Sequence, residues 1–320
     1  MTRAHPAGRS KVARRPPGRF ASFAGDLATS NVGAPSFNRR AVCLALAASP
    51  LAACAGAREA EEALAELERE SGGRLGVAAF DMRTGRRLNH RADERFAMCS
   101  TFKWVLAALI LEECDAGRRD LDAQVALSDA DLVPYAPVVE KELAQGFMTI
   151  RALCEASVGL SDNAAANILL RQIGGPAEFT RRLRTRGDAL TRLDRWEIEL
   201  NENRPGDPRD TTTPSAMTAL LERYFATDAL APASKTILEG WMIASPTGRA
   251  RLRAGLPADW RAGDKTGTSG NGAFNDVAFA APPGRPLIFI SAFIDAPQTT
   301  LDAANGVHRQ IGARVAAIFG

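Results

Sequence analysis

Apolar residues recur at helical spacing among Ala, Glu and Arg over 58–70, which predicts an amphipathic helix. The run Leu75-Gly76-Val77-Ala78-Ala79-Phe80 predicts a strand, and Met82-Arg83-Thr84-Gly85 turns the chain toward a partner strand. From Ser100 the pattern becomes helical, and 104–111 is apolar on every face, so that helix is expected inside the protein. Helical spacing continues over 149–157, 163–173, 176–186 and 214–225. The stretch 195–210 has no clean period and contains Pro205-Gly206-Asp207-Pro208, the composition of a loop. Strand character returns over 262–268, 273–280 and 287–294, the last two joined by Pro282-Pro283-Gly284, and a final helix starts near 299. This order lacks the alternation of a parallel βαβ fold. It predicts an α/β chain of the α+β type: a five-stranded antiparallel sheet flanked by terminal helices, with an all-helical lobe inserted. The sheet lobe takes 58–98 and 246–320, and the helical lobe 99–245.

Charge separates a leader from the rest. The net charge is +3, yet residues 1–53 hold eight Arg and Lys against Asp26 alone, a net of +7, which leaves about −4 for the remainder. A basic stretch ending in Asn38-Arg39-Arg40 precedes a 13-residue apolar run over 41–53. That is the order of a secretory signal, and the run is too short to span a bilayer. Residues 1–57 are therefore expected to be an export leader and 58–320 the catalytic domain, in the periplasm. Two processing readings stand. Leu51-Ala52-Ala53-Cys54 resembles a lipobox, which would lipidate Cys54, whereas Ala55-Gly56-Ala57 offers the small-x-small site of ordinary signal peptidase. Arg39-Arg40 reads as a twin-arginine signal or as a plain basic n-region. With basicity confined to the leader, nucleic-acid binding loses its main support, and no transmembrane helix is expected.

Candidate chemistry narrows next. Cys43 and Cys54 fall in the leader, and Cys99, Cys114 and Cys154 lack metal-site or redox spacing, so they are expected as free thiols. Of the histidines, His5 lies in the leader, and His90 and His308 are expected to be exposed and without catalytic role. A Ser-His-Asp triad or a histidine zinc site is short of material, so a hydrolase here needs Lys or a carboxylate as base, without metal or cofactor. Ser100-Thr101-Phe102-Lys103 opens the buried helix. Residues three apart share a helix face, so the ammonium can reach the hydroxyl, and the helix N-terminus favours a developing oxyanion. Ser161-Asp162-Asn163 lies in a polar break between helices, and Lys265-Thr266-Gly267-Thr268 ends a strand. Each is commonplace alone. In this order they are the S-x-x-K, S-D-N and K-T-G set of active-site serine β-lactam enzymes.

On these motifs the chain resembles the class A serine β-lactamases from about residue 58 to residue 320. The most discriminating match is Glu197-Ile198-Glu199-Leu200-Asn201, which resembles the family's E-x-x-L-N segment, with Glu199 expected to face solvent. The resemblance implies Ser100 as nucleophile and Lys103 or Glu197, or both, as acylation base. It implies the backbone N–H groups of Ser100 and Thr268 as oxyanion hole and Ser161 as proton donor to the departing nitrogen. Glu197 with Asn201 would position the deacylating water, and Asn163 would bind the acylamide side chain. Lys265, Thr266, Gly267, Thr268 and Arg251 would form the carboxylate site, with Arg253 a neighbouring alternative to Arg251. Tyr135 would wall the cleft, and Arg195 with Asp210 would close the 195–210 loop. Substrates would be penicillins and cephalosporins, the protein a monomer.

The family's common disulfide would pair positions held here by Ala107 and Cys154, and the carbapenemase bridge would pair Cys99 with Ser269; the resemblance therefore implies neither. A penicillin-binding D,D-peptidase or a β-lactam sensor domain would share three motifs but lack Glu197 in its loop.

Overall fold

Strand β1 (Arg74–Asp81) pairs antiparallel with β2 (Arg87–His90) on one side, and on the other with a strand more than 200 residues later in the chain. That later strand belongs to a hairpin series, β3 (Arg261–Thr268), β4 (Ala273–Ala281) and β5 (Ile288–Asp295). The computed structural model describes residues 49–320, with side chains from residue 59 onward except residue 60. Most of the expected leader, including Arg39-Arg40, His5 and Cys43, lies outside the described residues, as does the Cys54 side chain. The five strands follow the order β2-β1-β5-β4-β3, every neighbour antiparallel, as the patterning predicts.

The sheet is covered on both faces, which explains why β5 reads as an almost continuous apolar run. Period-two alternation divides its side chains. Ile288, Ile290, Ala292 and Ile294 pack with Leu64 and Leu67 of α1 (Ser49–Ser71) and Val307, Ile311, Val315 and Phe319 of α8 (Leu301–Phe319). Phe289 and Phe293 face the other way, into the core of the helical lobe. That lobe comprises α2 (Phe102–Asp115), α3 (Ile150–Gly159), α4 (Asn163–Ile173), α5 (Pro176–Thr185), α6 (Pro214–Ala226) and α7 (Pro232–Ala244). Helix α2 is buried around its circumference from Phe102 to Leu111, as its sequence predicts.

Helix α1 begins at Ser49. Two expectations change. Helix α7 had no counterpart in the sequence reading; Pro232 at its first turn is the start signal that was available. His308, expected on the surface, is fully buried, and its Nε2 lies 3.1 Å from the Phe274 carbonyl. Burial pushes the imidazole down to about 3, so it is neutral at ordinary pH. His90 is half-buried, with Nε2 2.7 Å from Glu68 Oε2. Cys99, Cys114 and Cys154 are free thiols.

Candidate active site

Ser100 sits in a single 3₁₀ turn, Cys99–Thr101, that leads directly into α2. The segment before it is clamped from outside the helix. Asn275 Nδ2 on β4 donates to the carbonyls of Ala97 (2.8 Å) and Met98 (3.1 Å), and the Met98 N–H donates to the Asp210 carbonyl (2.9 Å). Gly267 on the edge strand β3 completes the clamp. A Cβ there would fall 2.5 Å from the Met98 carbonyl oxygen, so only glycine lets the strand come this close. Cys99 is held at φ 47, Ser161 at φ 59, Tyr135 at φ 65 and Asp210 at φ 57. Left-handed conformations of non-glycine residues cost about 1–3 kcal/mol each and persist where surrounding contacts hold them. Four such residues in or beside one cleft mark it as a functional region.

The nucleophile, the candidate bases and the proton donor meet at bonding distance. Ser100 Oγ donates to Glu197 Oε1 at 3.3 Å, and Lys103 Nζ lies 2.9 Å from the same oxygen, both charged groups being fully buried. Lys103 also donates to the Ser161 carbonyl (2.8 Å), Ser161 Oγ (3.5 Å) and Asn163 Oδ1 (2.5 Å). Burial pulls the Lys103 ammonium below its ordinary pKa, opposed by the Glu197 carboxylate. Lys265 Nζ donates to Ser161 Oγ at 3.0 Å and to the Thr266 carbonyl at 2.8 Å. Ser161 Oγ thus accepts from two cations, which directs its own proton away from them and makes the hydroxyl a better acid.

Glu197 is held from two sides. Asn201 Nδ2 donates to its Oε2 at 2.6 Å, one helical turn along the loop. From α4, Asn167 brackets its backbone, Nδ2 donating to the Glu197 carbonyl (2.8 Å) and Oδ1 accepting the Glu197 N–H (3.0 Å). The peptide bond that follows, Glu197–Ile198, is cis. The loop closes where Arg195 Nε meets Asp210 Oδ2 at 2.6 Å, while Asp210 Oδ1 accepts the N–H groups of Asp194 (2.7 Å) and Arg195 (3.0 Å). Glu199 is exposed, as expected.

A cleft of about 380 Å³ opens over these groups, lined by Ser100, Tyr135, Ser161, Asn163, Asn201, Thr247, Arg251, Thr266 and Thr268. That volume falls in the range of small-molecule sites. Tyr135 stands at its rim, 60% exposed. Asn163 uses Nδ2 once, toward the Pro134 carbonyl at 2.9 Å, which leaves its second amide hydrogen for a ligand. Arg251, not Arg253, belongs to the cleft. Its Nη2 donates to Thr268 Oγ1 (2.7 Å), Nη1 to the carbonyls of Gly267 (3.1 Å) and Asn275 (2.5 Å), and Nε to Asn305 Oδ1 (3.0 Å). Arg253 turns away into an ion pair with Asp264.

The expected catalytic and substrate-binding residues therefore gather in or beside one cleft, Arg195 and Asp210 close the loop that carries Glu197, and Arg253 lies apart. Four further ones were not foreseen: Asn167, Asn275, Asn305 and Thr247, the last accepting from Thr266 Oγ1 at 2.9 Å. Each acts through a partner distant in sequence, and an isolated Asn or Thr carries no periodic signal. Among the described residues, no group of three or more His, Cys, Asp or Glu could hold a metal ion, and no helix is long and apolar enough to cross a membrane.

Comparison with known proteins agrees with this geometry. The profile of the β-lactamase enzyme family matches residues 59–319. β-Lactamase AST-1 of Nocardia asteroides is 49% identical over 232 residues, 72% of this chain and 74% of its own. β-Lactamase L2 of Stenotrophomonas maltophilia is 43% identical over 303 residues, 94% of this chain and 97% of its own. A solved structure of an ancestral class A β-lactamase superposes with a TM-score of 0.80 at 54% identity, covering 81% of this chain and 100% of the other.

Proposed function

From a chain that belongs to the class A serine β-lactamases, hydrolases of the β-lactam ring, we propose a residue-by-residue division of labour. The observation that carries it is the convergence of Ser100 Oγ and Lys103 Nζ on Glu197 Oε1, at 3.3 and 2.9 Å. Ser100 Oγ attacks the ring carbonyl as its proton passes to Glu197, with Lys103 as the adjoining proton carrier. The C–N bond of the tetrahedral intermediate breaks, the ring nitrogen takes the Ser161 proton, Lys103 replaces it, and Glu197 passes the proton it took from Ser100 to Lys103, so the acyl-enzyme again holds a Glu197 carboxylate and a Lys103 ammonium. Backbone N–H groups of Ser100 and Thr268 stabilise the oxyanion. Glu197, steadied by Asn201 and Asn167, then takes a proton from the water that cleaves the ester, and the proton returns to Ser100. Lys265, Thr266, Thr268 and Arg251 hold the substrate carboxylate, and the free Asn163 amide hydrogen meets the acylamide carbonyl. A penicillin-binding D,D-peptidase is the weaker reading because it offers no counterpart to Glu197.

One kinetic experiment tests this assignment. Burial, and then the neighbouring Lys103 ammonium, push Lys265 down to about 7. Below that pH the group is charged, and above it the free enzyme loses a cation from the carboxylate site. Purified protein is expected to turn over many equivalents of benzylpenicillin, with KM rising above pH 7 by up to about tenfold per unit. Lys265→Arg, whose guanidinium stays protonated, should hold KM flat from pH 6 to 9. Stoichiometric acylation without turnover would refute the hydrolase assignment. A wild-type KM that does not change with pH would refute the role of Lys265.

We further propose that residues 1–57 direct export to the periplasm, supported by the charge and apolar order of the leader. Lipidation at Cys54 is expected to label the protein with a palmitate probe in cells, and Cys54→Ala to abolish the label. Equal labelling of both would refute lipidation.

A further inference from the structure

A second cavity, of about 490 Å³, lies outside the catalytic cleft, between α3, the segment 138–149 and the C-terminal end of α7. Its walls are mainly apolar, with Val138, Phe147, Met148, Ala152, Leu160 and Trp241 among them. Leu160 at its edge is left 40% exposed, a large apolar side chain without cover. Two carboxylates, Glu142 and Glu155, line the same space, and no Lys or Arg does. Several acidic side chains of the helical lobe are matched by arginine, Glu112 by Arg186, Glu113 by Arg119 and Arg182, and Glu178 by Arg181 and Arg182, whereas others are not. Glu142 and Glu155 have no such partner among the described residues.

We infer that this cavity is a binding site for a small hydrophobic cation, an arylalkyl ammonium. Its apolar body would lie beside Trp241 and its charge between Glu142 and Glu155. The volume suits one ligand of that size, apolar walls supply the driving force, and the indole face adds attraction for a cation. The site is separate from the cleft yet joined to it through the chain. Leu160 directly precedes Ser161, Pro246 precedes Thr247, and the Val138 N–H donates to Asp162 Oδ2 at 2.9 Å. A ligand here would therefore rest against the Ser161 segment without touching Ser100.

Calorimetric titration with 4-phenylbutylammonium, and with the neutral isostere 4-phenylbutan-1-ol, tests the inference on the full protein. The ammonium is expected to bind at one saturable site and the alcohol about tenfold more weakly, the order expected from losing two solvent-screened charge contacts. The double variant Glu142→Gln, Glu155→Gln should weaken the ammonium by about tenfold and leave the alcohol unchanged. Ala152→Trp, which fills the space, should abolish binding of both; the double glutamine variant stands as the independent test should that protein not fold. Benzylpenicillin held on Ser100 as the trapped acyl-enzyme of Glu197→Gln should leave ammonium binding intact. Displacement by benzylpenicillin would place the ligand in the catalytic cleft and overturn the inference. So would equal affinities for cation and alcohol, or indifference to loss of the two carboxylates.

Discussion

Glu197→Gln is expected to lower the steady-state turnover of benzylpenicillin by about 10³-fold, the scale of a lost general base, and to leave the opened antibiotic covalently attached to Ser100. The amide keeps the shape of Glu197 and its contact with Asn201, so the loop should stay closed. What it loses is the ability to take a proton from the hydrolytic water. Acylation has a second route, because Lys103 follows Ser100 by three residues, about one helical turn, and its ammonium is already disfavoured by burial. Acylation should therefore slow but persist, while deacylation nearly stops. Intact-protein mass spectrometry after mixing should show one added benzylpenicillin per chain that survives desalting. Steady release of product at the wild-type rate would contradict the role assigned to Glu197.

The second large effect concerns the closure of the loop that carries Glu197. Asp210 is buried and gathers two backbone N–H groups and the Arg195 guanidinium around one carboxylate. Asp210→Ala leaves those donors unmet and the half-buried Arg195 with only Glu202 as carboxylate partner. Breaking a buried pair from one side costs about 3–5 kcal/mol. For a domain of this size that corresponds to a fall in Tm of about 10 °C, provided the loop unfolds with the rest. Deacylation should suffer more than acylation, because Glu197 moves with the loop whereas Lys103 is fixed on α2. A stopped-flow acylation rate reduced by a smaller factor than kcat would support this. A wild-type Tm together with wild-type kcat would count against it.

Much of the cleft was legible because its chemistry stands at element boundaries that composition marks. Ser100 and Lys103 open a helix apolar on every side, Ser161 breaks two helical stretches, and Lys265 ends a strand. Period-two alternation and two hairpin-like spacings were enough to predict the antiparallel sheet and its inserted lobe. What escaped is what depends on contacts between distant segments. Asn167 looks like any polar residue on α4 until the fold sets it against the Glu197 backbone. His308 carries no local sign that the Phe274 carbonyl will lie against it in the interior. Helix α7 was missed although Pro232 announces it, because the stretch after it mixes Gly240 with β-branched residues and shows no clear polar face. The choice between Arg251 and Arg253 likewise required the Thr268 hydroxyl and the Asp264 carboxylate to be seen in space.

The pairing of β1 with β5 has a kinetic consequence. Every contact in that ladder, from Arg74 with Asp295 to Asp81 with Ile288, closes a loop of more than 200 residues. Such closures are entropically costly before any contact rewards them, and folds dominated by them assemble slowly. During synthesis the central sheet cannot zip up until the residues of β5 have left the ribosome, by which time nearly the whole chain is free. The nascent protein should thus spend its early life without its central sheet.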